Sequence, residues 1–246
     1  MNLSNKNIII TGASKGLGRE TAIRLCRQNP NLVLVARTES LLKQTQMEIE
    51  KLTGKKPLII PCDVSSETDV NRMANVIREK YEHVDVLINN AGIGIHKTSE
   101  KMSNEEMRKQ FKINFFGAFY CIKALLPLLK LGDSAYILNV NSLVSKIAFA
   151  DNSVYAATKS ALAGFSQGLR QEMKVSNIRV GLFFPGLMKT SFQNDRKDGN
   201  KFPPFMVVDP RKAAIKMEKM IINRSKKAYI RRLMIIMLMK VKQLIR

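Results

Sequence analysis

The chain has 246 residues, of which 45% are hydrophobic and 25% are charged, and this composition excludes a disordered or fibrous protein. Its 41 Lys and Arg outnumber its 20 Asp and Glu, and the net charge of +21 favours partners that carry phosphate, without choosing among nucleotides, lipids and nucleic acids. Three widely spaced cysteines form no metal-binding pattern and predict buried thiols, while the polar start of the chain predicts a cytoplasmic protein without a signal peptide.

Short apolar runs alternate with longer amphipathic ones along the whole chain. Runs as continuously apolar as NLVLVA and VDVLI are typical of strands covered on both faces, as in parallel sheets with helical crossovers. The sequence therefore predicts an α/β fold, with a doubly wound parallel sheet in a single Rossmann-type domain. The predicted strands are Asn7–Thr11, Asn31–Ala36, Pro57–Pro61, Asp85–Asn89, Ala135–Asn141 and Ile178–Phe184, with helices between them.

The first predicted strand leads directly into a glycine-rich stretch, TGASKGLG, at residues 11–18. Such glycines are also found in a simple turn, because glycine reaches backbone conformations that other residues avoid. Here a helix is predicted to follow at once, over Leu17–Gln28. A strand, a glycine turn and a helix N-terminus favour a phosphate site, because free N–H groups and the helix dipole point at the turn. The residues expected to line it are Gly12, Ser14, Lys15, Gly16, Leu17 and Gly18.

The residues at the end of the second predicted strand indicate which phosphate-containing cofactor the site favours. A carboxylate there would bind a ribose hydroxyl of NAD, but this chain has Arg37 directly after Ala36. Lys15 in the glycine turn can approach the same place. Two cations and no carboxylate favour the additional phosphate of NADP(H), although a solvated surface arginine is the alternative interpretation of Arg37.

Further motifs follow along the chain: CDV at 62–64, NNAG at 89–92, Asn114, Ser142, YAATK at 155–159 and PGLMKT at 185–190. Together with the glycine stretch they resemble, in order and spacing over about residues 5 to 190, the motif series of the short-chain dehydrogenase/reductase family. This resemblance implies an NAD(P)-binding Rossmann-type domain that oxidises alcohols or reduces carbonyls. Beyond the glycine turn, it implies that Asp63 contacts the adenine, that Asn90, Ala91 and Gly92 border the adenosine, and that Thr190 holds the nicotinamide carboxamide. The other cofactor-binding residues that it implies are Val64, Tyr155, Lys159, Pro185 and Gly186.

The pair Tyr155 and Lys159 has the spacing of a proton-transfer site. Residues four apart on a helix share a face, and a nearby ammonium favours the phenolate, so Lys159 is expected to bring the tyrosine pKa towards neutrality. Lysine is common enough in this chain for such a pair to arise by chance. Ser142 follows the fifth predicted strand, at the sheet edge where parallel sheets bind ligands.

The resemblance assigns roles to four catalytic residues. In reduction, Tyr155 gives a proton to the carbonyl oxygen and Ser142 hydrogen-bonds that oxygen, while Lys159 also holds the nicotinamide ribose. Asn114 supports a water that relays protons to Lys159; the alternative is a buried amide with a purely structural role. No catalytic part is assigned to His83 or His96, which are expected on the surface or in loops.

The C-terminal quarter departs from this pattern. Residues 1–188 are predicted to form the cofactor-binding and catalytic core, and residues 189–223 a substrate lid (Lys189 to Val208) and a helix at Pro210–Ile222. The lid contains Phe192, Phe202, Phe205 and Met206, which are candidates either for an apolar pocket or for simple packing. Residues 224–246 hold eight basic and no acidic side chains and predict a basic amphipathic helix. Its candidate partners are an anionic membrane surface, a second subunit and the body of the protein.

The sequence thus predicts an NADP(H)-dependent oxidoreductase that reduces a small-molecule carbonyl, of a lipophilic kind, or oxidises the matching alcohol. The resemblance implies a homodimer or homotetramer. A rival function is a non-catalytic nucleotide sensor or a nucleic-acid- or membrane-binding protein on the same fold, favoured by the charge of +21. The absence of a groove-reading motif or an aromatic platform disfavours nucleic acid as a partner.

Overall fold

The computed structural model describes residues 1–188 and 207–229. The strands in these residues are β1 Asn7–Thr11, β2 Asn31–Ala36, β3 Leu58–Pro61, β4 Val86–Asn89, β5 Tyr136–Val140, β6 Arg179–Phe184, β7 Leu187–Met188, β8 Val207–Val208 and β9 Lys227–Tyr229. Seven of these described strands form one parallel sheet in the order β3-β2-β1-β4-β5-β6-β9. The order reverses between β1 and β4, which confirms the predicted doubly wound fold.

Helices connect the strands and cover both faces of the sheet. They are α1 Gly16–Cys26, α2 Glu39–Thr53, α3 Glu67–Lys80, α4 Asn104–Phe111, α5 Gly117–Leu131, α6 Ser153–Glu172 and α7 Pro210–Ile222. A π-helical turn, Lys112–Phe116, joins α4 to α5, and 3-10 turns follow β5 and α6 at Leu143–Ser145 and Met173–Ser176.

The core has two layers, one on each face of the sheet. Leu25 of α1, Ile49 of α2 and Met217 of α7 belong to one buried cluster, together with the strand residues that face them. On the opposite face, α3, α5 and α6 contribute a second cluster that includes Ile77 and Leu125. Because both faces are covered, the strand residues are buried without alternation, as the continuous apolar runs predicted.

Side-chain caps fix where several helices begin. Ser66 caps α3, Ser103 and Glu106 form a capping box at α4, and Asp209 caps α7 just before Pro210. Each cap satisfies backbone N–H groups that the first helical turn leaves unpaired. The predicted helix at Pro210–Ile222 is therefore confirmed, and its start is encoded locally.

The six predicted strands are confirmed to within one residue at each end, and the helix after the glycine turn begins at Gly16 and ends at Cys26. The last two residues of the predicted lid form β8, which pairs with β7. Residues 189–206, which include Thr190 and the lid phenylalanines, lie outside the described residues. The three cysteines are buried, as predicted, and burial raises the pKa of the Cys62 thiol to about 12.

β9 corrects the predicted start of the C-terminal appendage. The amphipathic helix was expected from Arg224, but residues 227–229 form a strand next to β6. Arg224 donates to two backbone carbonyls at 3.1 and 2.8 Å, and the Ser225 carbonyl accepts a 2.7 Å hydrogen bond from the hydroxyl of Tyr136. These contacts place 224–229 in the fold, and residues 230–246 lie outside the described residues.

In the described part of the chain, one helical stretch has the length and apolar composition of a membrane-crossing helix. It is Asn104–Leu131, which comprises α4, the π-helical turn and α5, and half of its most apolar window is buried inside the protein. Leu125 and Leu129 belong to the core on that face of the sheet. The stretch is explained by core packing.

Candidate active site

The glycine turn lies at the edge of the sheet where β1 and β4 end side by side. Gly12 and Gly16 have φ values of +67° and +53°, in the left-handed region that favours glycine. A Cβ atom on Gly18 would lie 2.2 Å from the Gly12 carbonyl oxygen. The turn and the first residues of α1 therefore pack too closely for a side chain, and their backbone N–H groups stand at the sheet edge that binds ligands in this fold.

Asn90 holds the ends of β1 and β4 together. Its Nδ2 donates to the carbonyl oxygens of Thr11 and Gly12 at 2.9 and 3.2 Å, and its own N–H donates to Thr11 Oγ1 at 3.0 Å. The N–H of Ala91 donates to the same hydroxyl at 3.1 Å. Two residues of the NNAG motif thus fix the shape of the glycine turn. Thr11, which the sequence analysis included in the glycine-rich stretch without giving it a role, is the centre of this arrangement.

The N-terminus of α1 is available to an anion. Lys15 is its N-cap residue and makes no side-chain capping bond, and the first turn contains no acidic residue. By contrast, α3, α4 and α7 are capped by their own side chains. Lys15 and Arg37 are both exposed, and a hydrogen bond of 3.1 Å from the N–H of Ala13 to the carbonyl of Val35 ties the glycine turn to the end of β2. The donors and cations present fit a dinucleotide that carries an additional phosphate.

Several of the other predicted cofactor-binding residues lie at the same edge of the sheet. Asp63 follows β3 and is half-buried, and its Oδ1 accepts from the N–H and hydroxyl of Ser65. Val64 is buried; a Cβ on Gly117 would meet its Cγ2 at 2.8 Å, so Val64 packs against the start of α5. Pro185 and Gly186 follow β6, and Gly186 has a φ of +79°. Thr190 lies outside the described residues.

Tyr155, Lys159 and Ser142 come together at the carboxyl end of β5. Tyr155 and Lys159 lie one turn apart on α6 and are buried, at 8% and 4% exposure, and the Lys159 Nζ lies 6.0 Å from the centroid of the tyrosine ring. Ser142 begins the turn after β5, and its side chain hydrogen-bonds Tyr155. The structure therefore brings these three side chains together at one end of the sheet.

Asn141 links the serine to the lysine, and sequence reasoning missed it. Its Oδ1 accepts from the N–H of Ser142 at 2.6 Å, and its Nδ2 donates to the backbone carbonyl of Lys159 at 3.0 Å. The Lys159 Nζ in turn donates to the carbonyl of Val140 at 3.0 Å. The end of β5 and the middle of α6 are therefore held in a fixed relation. The only signal in the sequence was the position of Asn141 at the end of the predicted strand, directly before Ser142.

The pKa of Tyr155 does not follow the expectation from its spacing to Lys159. Burial raises the tyrosine pKa to about 12, and the hydrogen bond with Ser142 acts in the opposite, weaker direction. Burial also lowers the pKa of Lys159 to about 8. Loss of water around each group is the main cause of both pKa shifts. In this arrangement the phenol keeps its proton at neutral pH.

Asn114 lies in the π-helical turn and supports the loop after β4. Its Oδ1 accepts from the N–H of Ile93 at 2.8 Å, and its Nδ2 donates to the Ile93 carbonyl at 2.8 Å and to the Thr158 hydroxyl at 3.1 Å. A Cβ on Gly92 would lie 3.1 Å from Asn114 Oδ1 and 3.6 Å from Lys159 Nζ. Gly92 is thus where the amide and the ammonium approach each other. The Asn114 side chain is hydrogen-bonded at both its oxygen and its nitrogen, as expected for a buried amide with a structural role.

His96 lies in the site, although the sequence assigned it no part there. Its ring meets the ring of Tyr155 edge-on, with a centroid separation of 6.0 Å and an interplanar angle of 66°. Its Nδ1 is 2.6 Å from Oδ1 of Asn152. His83, by contrast, lies before β4 and pairs with Asp85 at 3.2 Å. No sequence spacing could reveal a contact between residues 59 positions apart.

Comparisons with known proteins agree with this geometry. A family model described as short chain dehydrogenase matches residues 6–201. The chain is 33% identical over 202 residues to an NADP-dependent 3-hydroxy acid dehydrogenase of Schizosaccharomyces pombe, covering 81% of this chain and 78% of that protein. The resemblance stated from the motifs is therefore confirmed.

Two solved structures of similar fold hold an NADP-type cofactor. A short chain dehydrogenase from Shigella flexneri complexed with NADP superposes with a TM-score of 0.79 at 28% identity, covering 85% of this chain and 88% of that one. An alcohol dehydrogenase from the archaeon Thermococcus sibiricus, complexed with 5-hydroxy-NADP, gives a TM-score of 0.82 at 26% identity, covering 92% and 95%. By its matched sequence, its parallel sheet and its clustered motifs, this chain belongs to the short-chain dehydrogenase family of oxidoreductases.

Proposed function

We propose that the protein uses NADP(H) to reduce a carbonyl compound to an alcohol, or to catalyse the reverse reaction, with Tyr155 as the proton donor or acceptor. The observation that carries this proposal is the cluster of Ser142, Tyr155 and Lys159 at the carboxyl end of β5, in the same sheet edge as the glycine turn. A binding protein with no chemistry to perform would have no need for a buried lysine beside a buried tyrosine.

The cofactor, when bound, supplies a hydride to the carbonyl carbon of the substrate. The carbonyl oxygen then gains negative charge and needs a proton. The Tyr155 hydroxyl donates that proton, since burial keeps the phenol neutral below a pKa of about 12. The Ser142 hydroxyl, which already hydrogen-bonds Tyr155, donates to the same oxygen as charge develops.

Lys159 stabilises the phenolate that remains. Its ammonium donates a 3.0 Å hydrogen bond to the Val140 carbonyl, which holds it 6.0 Å from the centroid of the tyrosine ring. A depressed pKa of about 8 places the titration of Lys159 within reach of working pH, so the group can also pass a proton back to Tyr155. Asn114 has a positioning role in this proposal, because it fixes the loop that carries Gly92 against Lys159.

The preference for NADP(H) over NAD(H) is proposed from Arg37 and Lys15. Both side chains are exposed at the edge where the glycine turn is tied to the end of β2, and neither makes an ion pair among the described residues. A guanidinium and an ammonium would bind a 2′-phosphate through charge-assisted hydrogen bonds. The structural relatives from Shigella flexneri and Thermococcus sibiricus were obtained with NADP-type cofactors.

The substrate is proposed to be a small, lipophilic carbonyl compound. The loop that faces Tyr155 contains Ile93 and Ile95, which are half-buried, and the buried Leu143 follows Ser142 directly. The relative from Schizosaccharomyces pombe acts on 3-hydroxy acids, which makes 3-oxo acids and their esters the first compounds to test.

A homo-oligomer is the proposed assembly. Aromatic side chains form a continuous group where α5 meets α6, and Phe116 within it is 40% exposed. Exposed aromatic groups of this kind are enriched at protein–protein interfaces. Light scattering on the purified protein would give the subunit number.

A substrate screen tests the proposed function. Purified protein would be mixed with NADPH and a panel of ketones, aldehydes, 3-oxo acids and 3-oxo esters, and NADPH absorbance followed over time. We expect at least one compound to be reduced, with NADH a poorer donor. Tight NADPH binding without turnover of any compound in the panel, or in the reverse direction with the matching alcohols, would favour the nucleotide-sensing alternative.

A further inference from the structure

His96 lies against the group that transfers the proton. The two rings meet edge-on with their centroids 6.0 Å apart, and Tyr155 is only 8% exposed. A charge that appears on an imidazole at this distance is poorly screened by water, because the partner ring is buried. The charge of His96 therefore affects the proton affinity of the Tyr155 phenol.

A short chain of hydrogen bonds fixes which nitrogen of His96 carries a proton. Asn152 Nδ2 donates to Asp151 Oδ1 at 2.7 Å, and a carboxylate can only accept, so this bond sets the orientation of the amide. Asn152 Oδ1 then faces His96 Nδ1 at 2.6 Å, and an amide oxygen can also only accept. The neutral ring therefore holds its proton on Nδ1, and Nε2 is the atom that gains a second proton.

Among the described residues, charged groups near His96 belong to the turn before α6, to α6 and to the loop that leads to α4. Asp151 precedes α6 and is linked to the ring through Asn152, which is 4% exposed. Lys159, on α6 itself, lies on the tyrosine ring. Lys97, the next residue in the chain, forms a 2.5 Å ion pair with Glu106 of α4, so these two opposite charges lie next to each other. The carboxylate of Asp151 stabilises a positive charge along the chain to His96, and Lys159 opposes it.

We propose that His96 is a positioning residue for the proton transfer, whose positive form makes Tyr155 a stronger acid during carbonyl reduction. This inference rests on the proposed function, in which the Tyr155 O–H bond breaks and an O–H bond forms on the substrate. His96 keeps both of its protons in that step. It acts by placing a positive charge against the ring of the phenolate that is left, because a nearby opposite charge favours the ionised form.

The sign of the pH effect follows. An imidazole that holds a second proton is positive and one that has lost it is neutral, so His96 is charged on the acid side of its own titration and neutral on the alkaline side. Tyr155 is therefore the stronger acid at low pH. The kcat for reduction should fall as pH rises through the titration of His96, by about three- to tenfold, well before Tyr155 itself loses its proton. KM should stay constant through this fall, because His96 acts on the proton donor and not on binding.

The coupling can be measured without any substrate. In protein labelled with ¹³C at the tyrosine Cζ atom, the NMR resonance of Tyr155 is identified by its loss in Tyr155→Phe. We expect this resonance to shift with pH at the same midpoint as the His96 ring resonances. The shift should vanish in His96→Gln and persist in His83→Gln, which removes the other of the two histidines in the chain. A Tyr155 resonance that is constant through the His96 titration would overturn the proposal, whether or not the protein is an enzyme.

Kinetics supply the second measurement, with the 3-oxo ester ethyl acetoacetate and NADPH as the probe if the screen shows turnover. His96→Gln should remove the acid-side rise in kcat and leave KM unchanged, while His83→Gln should match the wild-type profile. Asn152→Leu, which removes the acceptor for Nδ1 but keeps the imidazole, should retain the effect with a shifted midpoint. An effect of His96→Gln on KM alone would contradict a role through Tyr155 and identify a substrate contact.

Discussion

At the scale of single residues, burial moves Tyr155 and Lys159 away from their ordinary behaviour in opposite directions. The tyrosine pKa rises to about 12 and the lysine pKa falls to about 8, with loss of solvation as the main cause for each. Both shifts favour the neutral forms. As the proton donor, Tyr155 must be a neutral phenol. Lys159 must be able to exchange a proton near neutral pH to resupply it, and the two pKa shifts provide both conditions.

The depressed pKa of Lys159 makes stability depend on pH. Between about pH 8 and 10.5 the unfolded chain keeps the lysine proton and the folded protein has lost it, so the free energy of unfolding rises with pH across this window. Between about pH 8 and 10.5, the free energy of unfolding of the wild type should rise by about 2–3 kcal/mol relative to that of Lys159→Met. Urea unfolding at several pH values would measure this gain. The exposed Lys51→Met serves as the control, and an equal gain in Lys159→Met would refute the assignment.

Arg37 should decide the choice between the two nicotinamide cofactors. Replacing it by Ala removes the guanidinium at the end of β2, and NADPH binding should weaken about tenfold or more, while NADH binding changes little. Titration of the cofactor fluorescence gives both dissociation constants. Arg78→Ala, on the exposed side of α3, is the matched control. Equal weakening of NADPH and NADH in Arg37→Ala would show that this side chain does not contact the additional phosphate.

At the scale of elements, the first helix and the glycine turn act as one unit. The tight approach of Gly18 to the Gly12 carbonyl leaves the N-terminus of α1 bare, and Asn90 of the β4 loop donates to the same carbonyl at 3.2 Å. A helix end without side-chain caps is stable in this setting because the neighbouring strand ends hold the turn in place. The phosphate site therefore depends on packing as well as on glycine.

A pair of glycine substitutions tests this dependence. Gly18→Ala would put a methyl group 2.2 Å from the Gly12 carbonyl oxygen, so the turn must shift, with a loss of about 1–3 kcal/mol in stability and at least tenfold weaker NADPH binding. Gly164→Ala is the control, because its Cβ meets nothing within 4 Å on the exposed face of α6. That change should stabilise the protein by about 1 kcal/mol. NADPH binding to Gly18→Ala at wild-type strength would contradict the assignment of the site.

Most helices and strands could be predicted from the sequence, because the features that determine them lie within each segment. Continuous apolar runs mark buried parallel strands, and the four-residue spacing places Tyr155 and Lys159 on one face of α6. The contact of His96 with Tyr155 and the role of Asn141 arise only when distant segments meet. The direction of the Tyr155 pKa shift was wrong for the same reason, since the extent of burial is a property of the packed core and not of the spacing.

At the scale of the whole molecule, β9 extends the sheet beside β6. Tyr229 stacks on Phe184 with ring centroids 4.4 Å apart, and the Tyr136 hydroxyl, in a largely buried residue, depends on the Ser225 carbonyl for its acceptor. A three-residue strand in a basic segment carries little pattern of its own. Its place in the fold comes from these partners, which explains why the sequence assigned residues 224–229 to the tail.

Two truncations separate the fold from the remaining tail. A chain ending at Tyr229 keeps every contact that the described residues make with one another, and we expect it to fold with wild-type stability. A chain ending at Asn223 loses β9, the stack on Phe184 and the acceptor for Tyr136, and should lose about 3–5 kcal/mol. Urea unfolding distinguishes these outcomes, and equal stability of the two chains would contradict the assignment of β9 to the core.

The chain ending at Tyr229 also tests the expectation that residues 230–246 bind a membrane. If these basic and apolar residues bind an anionic surface, full-length protein should co-sediment with anionic liposomes at low salt and the chain ending at Tyr229 should not. Liposomes of neutral lipid are the control. Failure of the full-length protein to co-sediment would remove the membrane surface from the candidate partners.

The most direct measurement compares wild type with Tyr155→Phe in NADPH-dependent reduction of a carbonyl found in the screen. The substitution removes the transferable proton and hardly changes the shape of the ring. We expect kcat to fall by a factor of about 10² or more, with the dissociation constant of NADPH unchanged. Reduction at close to the wild-type rate by the phenylalanine variant would contradict the account, because the proton would then come from another group.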